Sequence, residues 1–205
     1  MRAKSVCLLL LLPTLLAAEC PLITNAPLSD PLTSEPDASL YGHWIGKLEN
    51  SDHEAHLFIG KHSVEGNPEG IMEAYLIKWD RKDHHISPQD TMMYFTVARV
   101  GESDYWCIFL SSDDKDKSPK LDVGDSYKRW AKSDKRLCAV FRYKCDAKGL
   151  KLWAVKDDVI TKLEKDGQLK QSESGLAVDS AVRYLRKNGG ETLFTEEIAS
   201  FAKSK

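Results

Sequence analysis

The stretch TMMYFTVARV-GESD-YWCIFLSS, residues 91–112, decides the fold of this chain. In its first half, apolar Met93 and Phe95 alternate with residues that carry polar groups, which is the two-residue period of a strand. Its second half, residues 105–110, is apolar at nearly every position, as expected for a strand that is covered on both faces. Because the polar residues 101–104 between the halves are typical of a short turn, the stretch predicts an antiparallel hairpin at the centre of a sheet.

Further strands are predicted on both sides of this hairpin. They are separated by polar turns or loops and cover residues 41–49, 53–60, 71–79, 137–145 and 150–155. Together with the hairpin they make at least seven strands in succession. This pattern is typical of an antiparallel meander or barrel, so the sequence predicts a mainly β fold.

The hydrophobic period changes after Val155, and three short helices are predicted there. The first starts at Asp157 or Asp158 and ends at Gly167, the second starts at Asp179 or Ser180 and ends at Asn188, and the third starts at Thr195 with Ile198, Phe201 and Ala202 on one stripe. Helices of this length are marginal on their own in water. We therefore expect them to pack on the outer wall of the sheet.

The first eighteen residues have the pattern of a secretory signal peptide. Arg2 and Lys4 precede a short apolar run that ends in small residues. The run is shorter than the roughly 20 residues that a membrane-spanning helix needs. We therefore expect export to a periplasmic or extracellular compartment. Cys20 suggests the alternative of a lipidated, membrane-attached protein, which is less favoured because Glu19 replaces the small residue of that signal.

The predicted organisation has four parts. Four prolines in residues 19–39 indicate a linker, although a disordered terminus would have the same composition. The parts are a signal peptide (1–18), a Pro-rich linker (19–39), a β-barrel domain (40–156) and a helical C-terminal extension packed on the barrel (157–205).

Charge and composition exclude some classes of function. The formal net charge is −2, and charges of both signs are interspersed along the 205 residues. There is no basic patch and no interleaving of basic and aromatic residues, so nucleic-acid binding is not expected.

Four cysteines remain after the predicted cleavage, which permits up to two disulfides in an oxidising compartment. Cys138 and Cys145 lie in one predicted strand, about 23 Å apart, and cannot bond to each other without breaking it. A bond from Cys107 to one of them across neighbouring strands is favoured, and the pairing of Cys20 stays open.

Two short motifs resemble those of the lipocalins. Gly42-His43-Trp44 at the start of the first strand is similar to their Gly-x-Trp motif, and Ser103-Asp104-Tyr105 is similar to their Thr-Asp-Tyr motif. The family also has an arginine late in the barrel that packs over the tryptophan, and Arg142 is the candidate for it. The resemblance covers residues 41–156 and implies a calycin-like barrel.

The same resemblance implies that a small ligand binds in the mouth of the barrel. Small barrels either fill their interior with side chains or hold one small ligand. Tyr75, Trp79, Met93 and Phe95 are the bulky candidates for the interior, and hence for contacts with a small, apolar ligand. No cofactor is predicted.

Two alternative functions come from other features. A surface or periplasmic protein that acts through protein–protein contacts would show a contiguous apolar patch or an uncovered edge strand. Metal binding is suggested by the six histidines, which all lie within residues 43–85 and have Asp52, Glu54 and Asp83 nearby: His43, His53, His56, His62, His84 and His85.

Catalysis is not expected. Ser51-Asp52-His53 has the residue types of a hydrolytic triad, but neighbours in sequence rarely adopt the geometry of one. Gly-x-Ser-x-Gly, a phosphate-binding glycine loop and His-Glu-x-x-His are all missing from the sequence.

Overall fold

The computed structural model describes residues 21–49, 51, 53–62, 67–80, 82, 83, 85, 86, 91–110, 126–132 and 136–204. Several predicted features lie outside these residues. They are the signal peptide (1–18), Cys20, Asp52, His84 and the polar loop at 113–125.

Strands predominate in the described chain. The twelve strands are β1 (Leu22–Thr24), β2 (Gly42–Leu48), β3 (Glu54–Lys61), β4 (Met72–Asp80), β5 (His85–Ile86), β6 (Thr91–Val100), β7 (Ser103–Leu110), β8 (Leu137–Asp146), β9 (Gly149–Ala154), β10 (Gln171–Ser172), β11 (Gly175–Leu176) and β12 (Glu196–Lys203). The α-helices of the described residues are α1 (Ser126–Lys132), α2 (Asp157–Lys165) and α3 (Val178–Asn188).

Eight of these strands form a closed antiparallel barrel. Their order around the barrel is the order of the chain: β2, β3, β4, β6, β7, β8, β9 and β12. The last strand pairs with both its predecessor β9 and the first strand β2, so the sheet closes on itself. The predicted fold class is therefore confirmed: a mainly β chain whose antiparallel meander closes into a calycin-like barrel, with a few short helices.

The hairpin predicted at residues 91–112 is formed by β6 and β7. The two strands pair from Phe95 opposite Ile108 to Val100 opposite Ser103. Gly101 takes φ 64° in the turn between them, a conformation that glycine adopts without steric penalty. Both faces of β7 are covered, as its apolar run predicts, because one faces the barrel interior and the other lies beneath the helices.

The barrel wall separates two hydrophobic cores. The interior core contains inward side chains from all eight strands, among them Trp44, Phe95 and Trp106. The outer core joins outward residues of β6 to β8, such as Tyr105, to Leu163 of α2 and Leu185 of α3. The two longer helices thus pack on one side of the outer wall, where they bury apolar surface that neither the helices nor the strands could bury alone.

The helix predicted from Thr195 is wrong, because these residues form β12. A register shift between Glu197 and Ala199 places both Ile198 and Ala199 in the interior core together with Phe201. The irregularity breaks the two-residue period and leaves apolar residues three apart, which is the spacing of a helix. The sequence pattern was therefore helical while the residues are extended.

The described part of the predicted linker is packed on the barrel. Leu22 is fully buried and lies opposite Val140, because β1 pairs with the first half of β8. On its other side β1 pairs with β11, which links it to β10. The prolines of this segment had indicated a linker, whereas Leu22 and Leu28 contribute to the outer core and Ile23 packs against the interior core.

The predicted disulfide from Cys107 is also wrong. Cys107, Cys138 and Cys145 are all free thiols. Cys107 lies opposite Val140, two residues from Cys138, and diagonal neighbours are too far apart for a disulfide. Cys145 packs against the interior core whereas Cys107 belongs to the outer core. Burial raises the pKa of Cys107 to about 12, so this thiol stays protonated.

Candidate functional site

One end of the barrel is plugged by the residues that precede the first strand. This plugged end is the end at which β2 begins and β12 ends. A short 3-10 helix, Ala38–Leu40, leads into β2, and Leu40 is fully buried. Trp44 is 2% exposed, and its indole Nε1 donates a hydrogen bond to the carbonyl oxygen of Leu40 at 2.8 Å. The tryptophan of the Gly-x-Trp motif therefore holds the plug in place.

Lys203 is the cation that lies over this tryptophan. Its Nζ is 5.2 Å from the centroid of the Trp44 ring, within the range of a cation–π contact. The same ammonium donates to the carbonyl oxygen of Ser39 at 3.5 Å. Lys203 thus links the last barrel strand to both the plug and the first strand.

The prediction that Arg142 packs over Trp44 is wrong. Arg142 points to the outer wall, where its guanidinium lies 4.2 Å from the ring centroid of Trp153 and its Nη1 donates to Glu191 at 2.8 Å. Its neighbour Tyr143 belongs to the interior core, and neighbouring residues of a strand face opposite sides. Lys203 was not predicted, because the family feature is an arginine and the apolar residues from Thr195 have the spacing of a helix.

The plugged end also contains a partly buried polar pair. The hydroxyl of Tyr143 donates to Asp37 Oδ2 at 2.8 Å, and Asp37 also accepts from the backbone nitrogen and the hydroxyl of Ser39. Burial raises the pKa of Asp104, the acid of the second motif. Its Oδ1 lies 3.6 Å from Nε of Arg99. Tyr105 of that motif is buried in the outer core against Phe194. Trp44 and Tyr105 of the two motifs therefore serve packing, whereas Asp104 forms an ion pair with Arg99.

A cavity of about 40 Å³ lies inside the barrel toward the opposite end. Its lining includes Leu48, the last residue of β2, and Ile198 and Ala199 near the start of β12. Trp106 is also part of the lining and stacks on Phe95 at 4.7 Å between ring centroids. Every lining side chain is apolar apart from the indole N–H: Leu48, Leu57, Leu76, Met93, Trp106, Ile108, Phe141, Leu152, Ile198, Ala199 and Phe201.

Two of the four predicted ligand contacts lie in the interior. Met93 lines the cavity, and Phe95 is fully buried behind Trp106. Tyr75 and Trp79 do not face the interior, because the inward residues of β4 are Met72, Ala74 and Leu76 and the odd-numbered residues face outward. Both faces of β4 carry apolar residues, so alternation did not distinguish them.

Two polar groups of the interior were missed at the sequence level. Trp106 is 1% exposed, and its Nε1 has no hydrogen-bond partner in the part of the chain that the structure describes. Lys78 is buried two residues beyond Leu76 on the same face of β4, opposite the interior residue Ala55. Burial lowers the pKa of Lys78. The position of Trp106 within an apolar run was the only sequence signal for either group.

The described histidines are divided among separate places on the outer wall. His43 Nε2 is 3.0 Å from His56 Nδ1, and His56 Nε2 is 3.1 Å from Glu54. His62 lies between Glu73 and Asn67, at 3.0 and 2.8 Å. Across the described ranges, no group of three histidine, cysteine, aspartate or glutamate side chains is arranged to hold a metal ion.

Ser51 and His53 do not form a catalytic pair in the structure. The hydroxyl of Ser51 accepts a hydrogen bond from the backbone nitrogen of His53 at 3.2 Å. The imidazole Nδ1 of His53 instead faces Asp80 at 3.5 Å. The two residues therefore make a local turn contact.

The fold and its interior define a closed eight-stranded barrel with one plugged end and an apolar cavity. No family model, no curated protein and no solved structure matches this chain. Within the described residues, no helix is long and apolar enough to cross a membrane.

Proposed function

We propose that this protein is an exported, lipocalin-like binding protein that holds a small, apolar molecule in the cavity of the barrel. The observation that carries the proposal is the cavity itself, which is lined by apolar side chains in a barrel whose other end is plugged. An apolar cavity of this kind holds water poorly and favours an apolar guest. The Gly-x-Trp motif around Trp44 and the cation of Lys203 over its ring support the family part of the proposal.

The volume of the cavity limits the size of the ligand. One water-sized sphere occupies roughly 10–15 Å³ on the same measure, so about 40 Å³ corresponds to roughly three such positions. A larger guest requires movement of the lining side chains. Met93 is the lining residue best suited to move, because an unbranched thioether changes rotamer at little energetic cost. The proposed ligands are therefore compact molecules rather than long chains.

Filling the cavity tests this function. Ala199→Leu adds three carbon atoms to the lining, and we expect the affinity for a compact apolar probe such as benzene to fall at least tenfold. The change in tryptophan fluorescence on adding benzene reports binding, because Trp106, one of the five tryptophans, borders the cavity. Ser200→Ala is the matched control, since Ser200 is an exposed neighbour on the same strand.

A stability measurement shows whether a loss of benzene binding comes from the filled cavity or from misfolding of the variant. Urea unfolding of both variants shows whether the enlarged side chain is accommodated. If Ala199→Leu folds and binds benzene as tightly as the unaltered chain, the cavity is not the binding site. If the unaltered chain binds no apolar probe at all, the proposed function is wrong.

A second candidate function is protein–protein contact through the outer wall of β2 to β6. His43, Phe58, Tyr75 and Met92 follow one another in register across four strands. Phe58 is 41% exposed and Ile86 is 51% exposed, on the side of the barrel away from α2 and α3. Native mass spectrometry of the protein purified from its own compartment separates the candidates: a retained organic mass favours the barrel ligand, a retained metal mass the histidines, and a bound polypeptide the outer wall.

A further inference from the structure

We infer that the ligand of the cavity carries a neutral hydrogen-bond acceptor, such as a ketone, ester or ether oxygen, that bonds to the indole N–H of Trp106. The inference rests on the proposed function, because it names the chemistry of the molecule that enters the barrel. It assigns to Trp106 the one specific polar contact of an otherwise apolar site.

The indole nitrogen is buried among aromatic and aliphatic neighbours. Trp106 is 1% exposed and stacks on Phe95, and its ring centroid is 6.0 Å from that of Tyr143. Its register partners on the neighbouring strands are Val97 and Phe141. The hydroxyl of Tyr143 is engaged with Asp37 at the plugged end. Among the described residues, no oxygen or nitrogen atom accepts a hydrogen bond from the indole nitrogen.

Trp44 and Trp130 both have such a partner in this chain. Trp44 Nε1 donates to the carbonyl of Leu40 at 2.8 Å, and Trp130 Nε1 donates to the carbonyl of Leu137 at 2.9 Å. Buried indole N–H groups generally find an acceptor. Trp106 differs in that it borders the cavity. An acceptor for it therefore enters with the molecule that occupies the cavity.

Water is a poor substitute for such a ligand. A buried water molecule is held by two to four polar partners, and the cavity lining offers the single N–H of Trp106 among apolar groups. A ligand that combines an apolar body with one acceptor replaces this weakly held water and satisfies the donor. A hydrocarbon of the same shape fills the same volume and leaves the donor unsatisfied.

The acceptor is neutral because the lining carries no charge. A carboxylate placed beside Trp106 loses its hydration and gains only one donor there, which does not offset the desolvation penalty. The ammonium of Lys78 does not alter this argument, since Lys78 is not part of the lining and already has a partner. The site therefore selects carbonyl and ether compounds over both hydrocarbons and acids.

The test compares two ligands that have the same shape, cyclohexanone and methylenecyclohexane, on the unaltered chain and on Trp106→Phe. The ratio of the two affinities is measured for each protein, so differences in hydration of the ligands cancel. We expect the ratio of the cyclohexanone affinity to the methylenecyclohexane affinity to be about three- to tenfold higher in the unaltered chain than in Trp106→Phe. This is the effect that one net hydrogen bond predicts. Equal ratios in the two proteins would overturn the inference while leaving the binding function intact.

An NMR measurement on the unaltered chain keeps the test valid should Trp106→Phe fail to fold. With ¹⁵N-labelled indoles, the Trp106 N–H proton is expected to move downfield with cyclohexanone and not with methylenecyclohexane. The indoles of Trp44 and Trp130 serve as internal controls, because both already donate to backbone carbonyls. Binding of both ligands with the same Trp106 shift would overturn the inference, and binding of neither would overturn the proposed function as well.

Discussion

Asp37 joins three hydrogen bonds at the plugged end, and its charge state therefore affects the stability of the plug. Burial raises the pKa of this carboxyl, but the hydrogen bonds from Ser39 and Tyr143 outweigh burial, and the pKa lies below its ordinary value of 3.8. Because the folded-state pKa is lower than the unfolded-state pKa, the stabilisation is complete above pH 3.8 and is lost as the pH falls through the folded-state value.

Removing the Tyr143 hydroxyl should make this dependence visible. Tyr143→Phe deletes one bond to Asp37, and we expect the free energy of unfolding near neutral pH to fall by about 1–2 kcal/mol. The difference from the unaltered chain should shrink as the pH falls below 3.8, since the protonated carboxyl is a weaker acceptor. Urea unfolding at several pH values measures both effects.

Tyr41 provides the control for this prediction. Burial and the charge of Asp37 raise the pKa of its hydroxyl. Tyr41→Phe nevertheless leaves the bonds from Ser39 and Tyr143 to Asp37 in place. We expect no comparable pH-dependent difference for that variant. A Tyr143→Phe difference that stays constant down to the acid limit of folding would show that the hydroxyl contributes through packing alone.

At the scale of elements, the segment after α3 docks on the barrel through a close contact at Gly190. A Cβ atom at this position would lie 2.1 Å from the hydroxyl oxygen of Tyr105 and 2.9 Å from Ser103 Oγ. Tyr105 is fully buried and has no free space to retreat into. We expect Gly190→Ala to lower the free energy of unfolding by about 1–3 kcal/mol through overpacking.

Two further variants show whether the close contact is the cause. Gly60→Ala is the matched control, because a Cβ atom there meets nothing within 4 Å, and its effect should stay within about 0.5 kcal/mol. Tyr105→Phe removes the oxygen beneath Gly190 and should restore part of the stability that Gly190→Ala loses. The explanation by steric contact is wrong if the loss is the same in the Tyr105→Phe background.

The elements differ in how well their sequences predict them. The β6–β7 hairpin was predicted because period, turn and length all agree at residues 91–110. The inward face of β4 was not, since Tyr75 and Trp79 on the outer wall are as apolar as the interior residues. β12 was mistaken for a helix because its irregularity places Ile198 and Phe201 at helical spacing. The cavity could not be predicted at all, because side-chain packing across several strands determines it.

At the scale of the whole molecule, the described residues form an eight-stranded meander with a helical insertion between its last two strands. β9 and β12 are neighbours in the barrel, with Ala154 opposite Glu196, although about forty residues separate them in the chain. Those residues contain α2 and α3, which cover the outer core. The last strand then supplies Ile198, Ala199 and Phe201 to the cavity and Lys203 to the plug. Closure of the barrel, the cavity and the plug therefore all depend on β12.

The dependence of the barrel on β12 can be tested by ending the chain at residue 156, where the sequence predicts the end of the barrel domain. A chain ending at Lys156 contains the whole predicted barrel, but it lacks β12 and leaves β2 and β9 with unpaired edges. We expect it to lose cooperative unfolding and to aggregate, because exposed strand edges pair with other chains.

A second variant joins Val155 to Glu196 by a short Gly-Ser turn, which keeps β12 and deletes the insertion. It should retain a cooperative transition at lower stability, since the outer core is uncovered while the interior core stays complete. Cooperative unfolding of the chain ending at Lys156 would show that the barrel does not need its eighth strand.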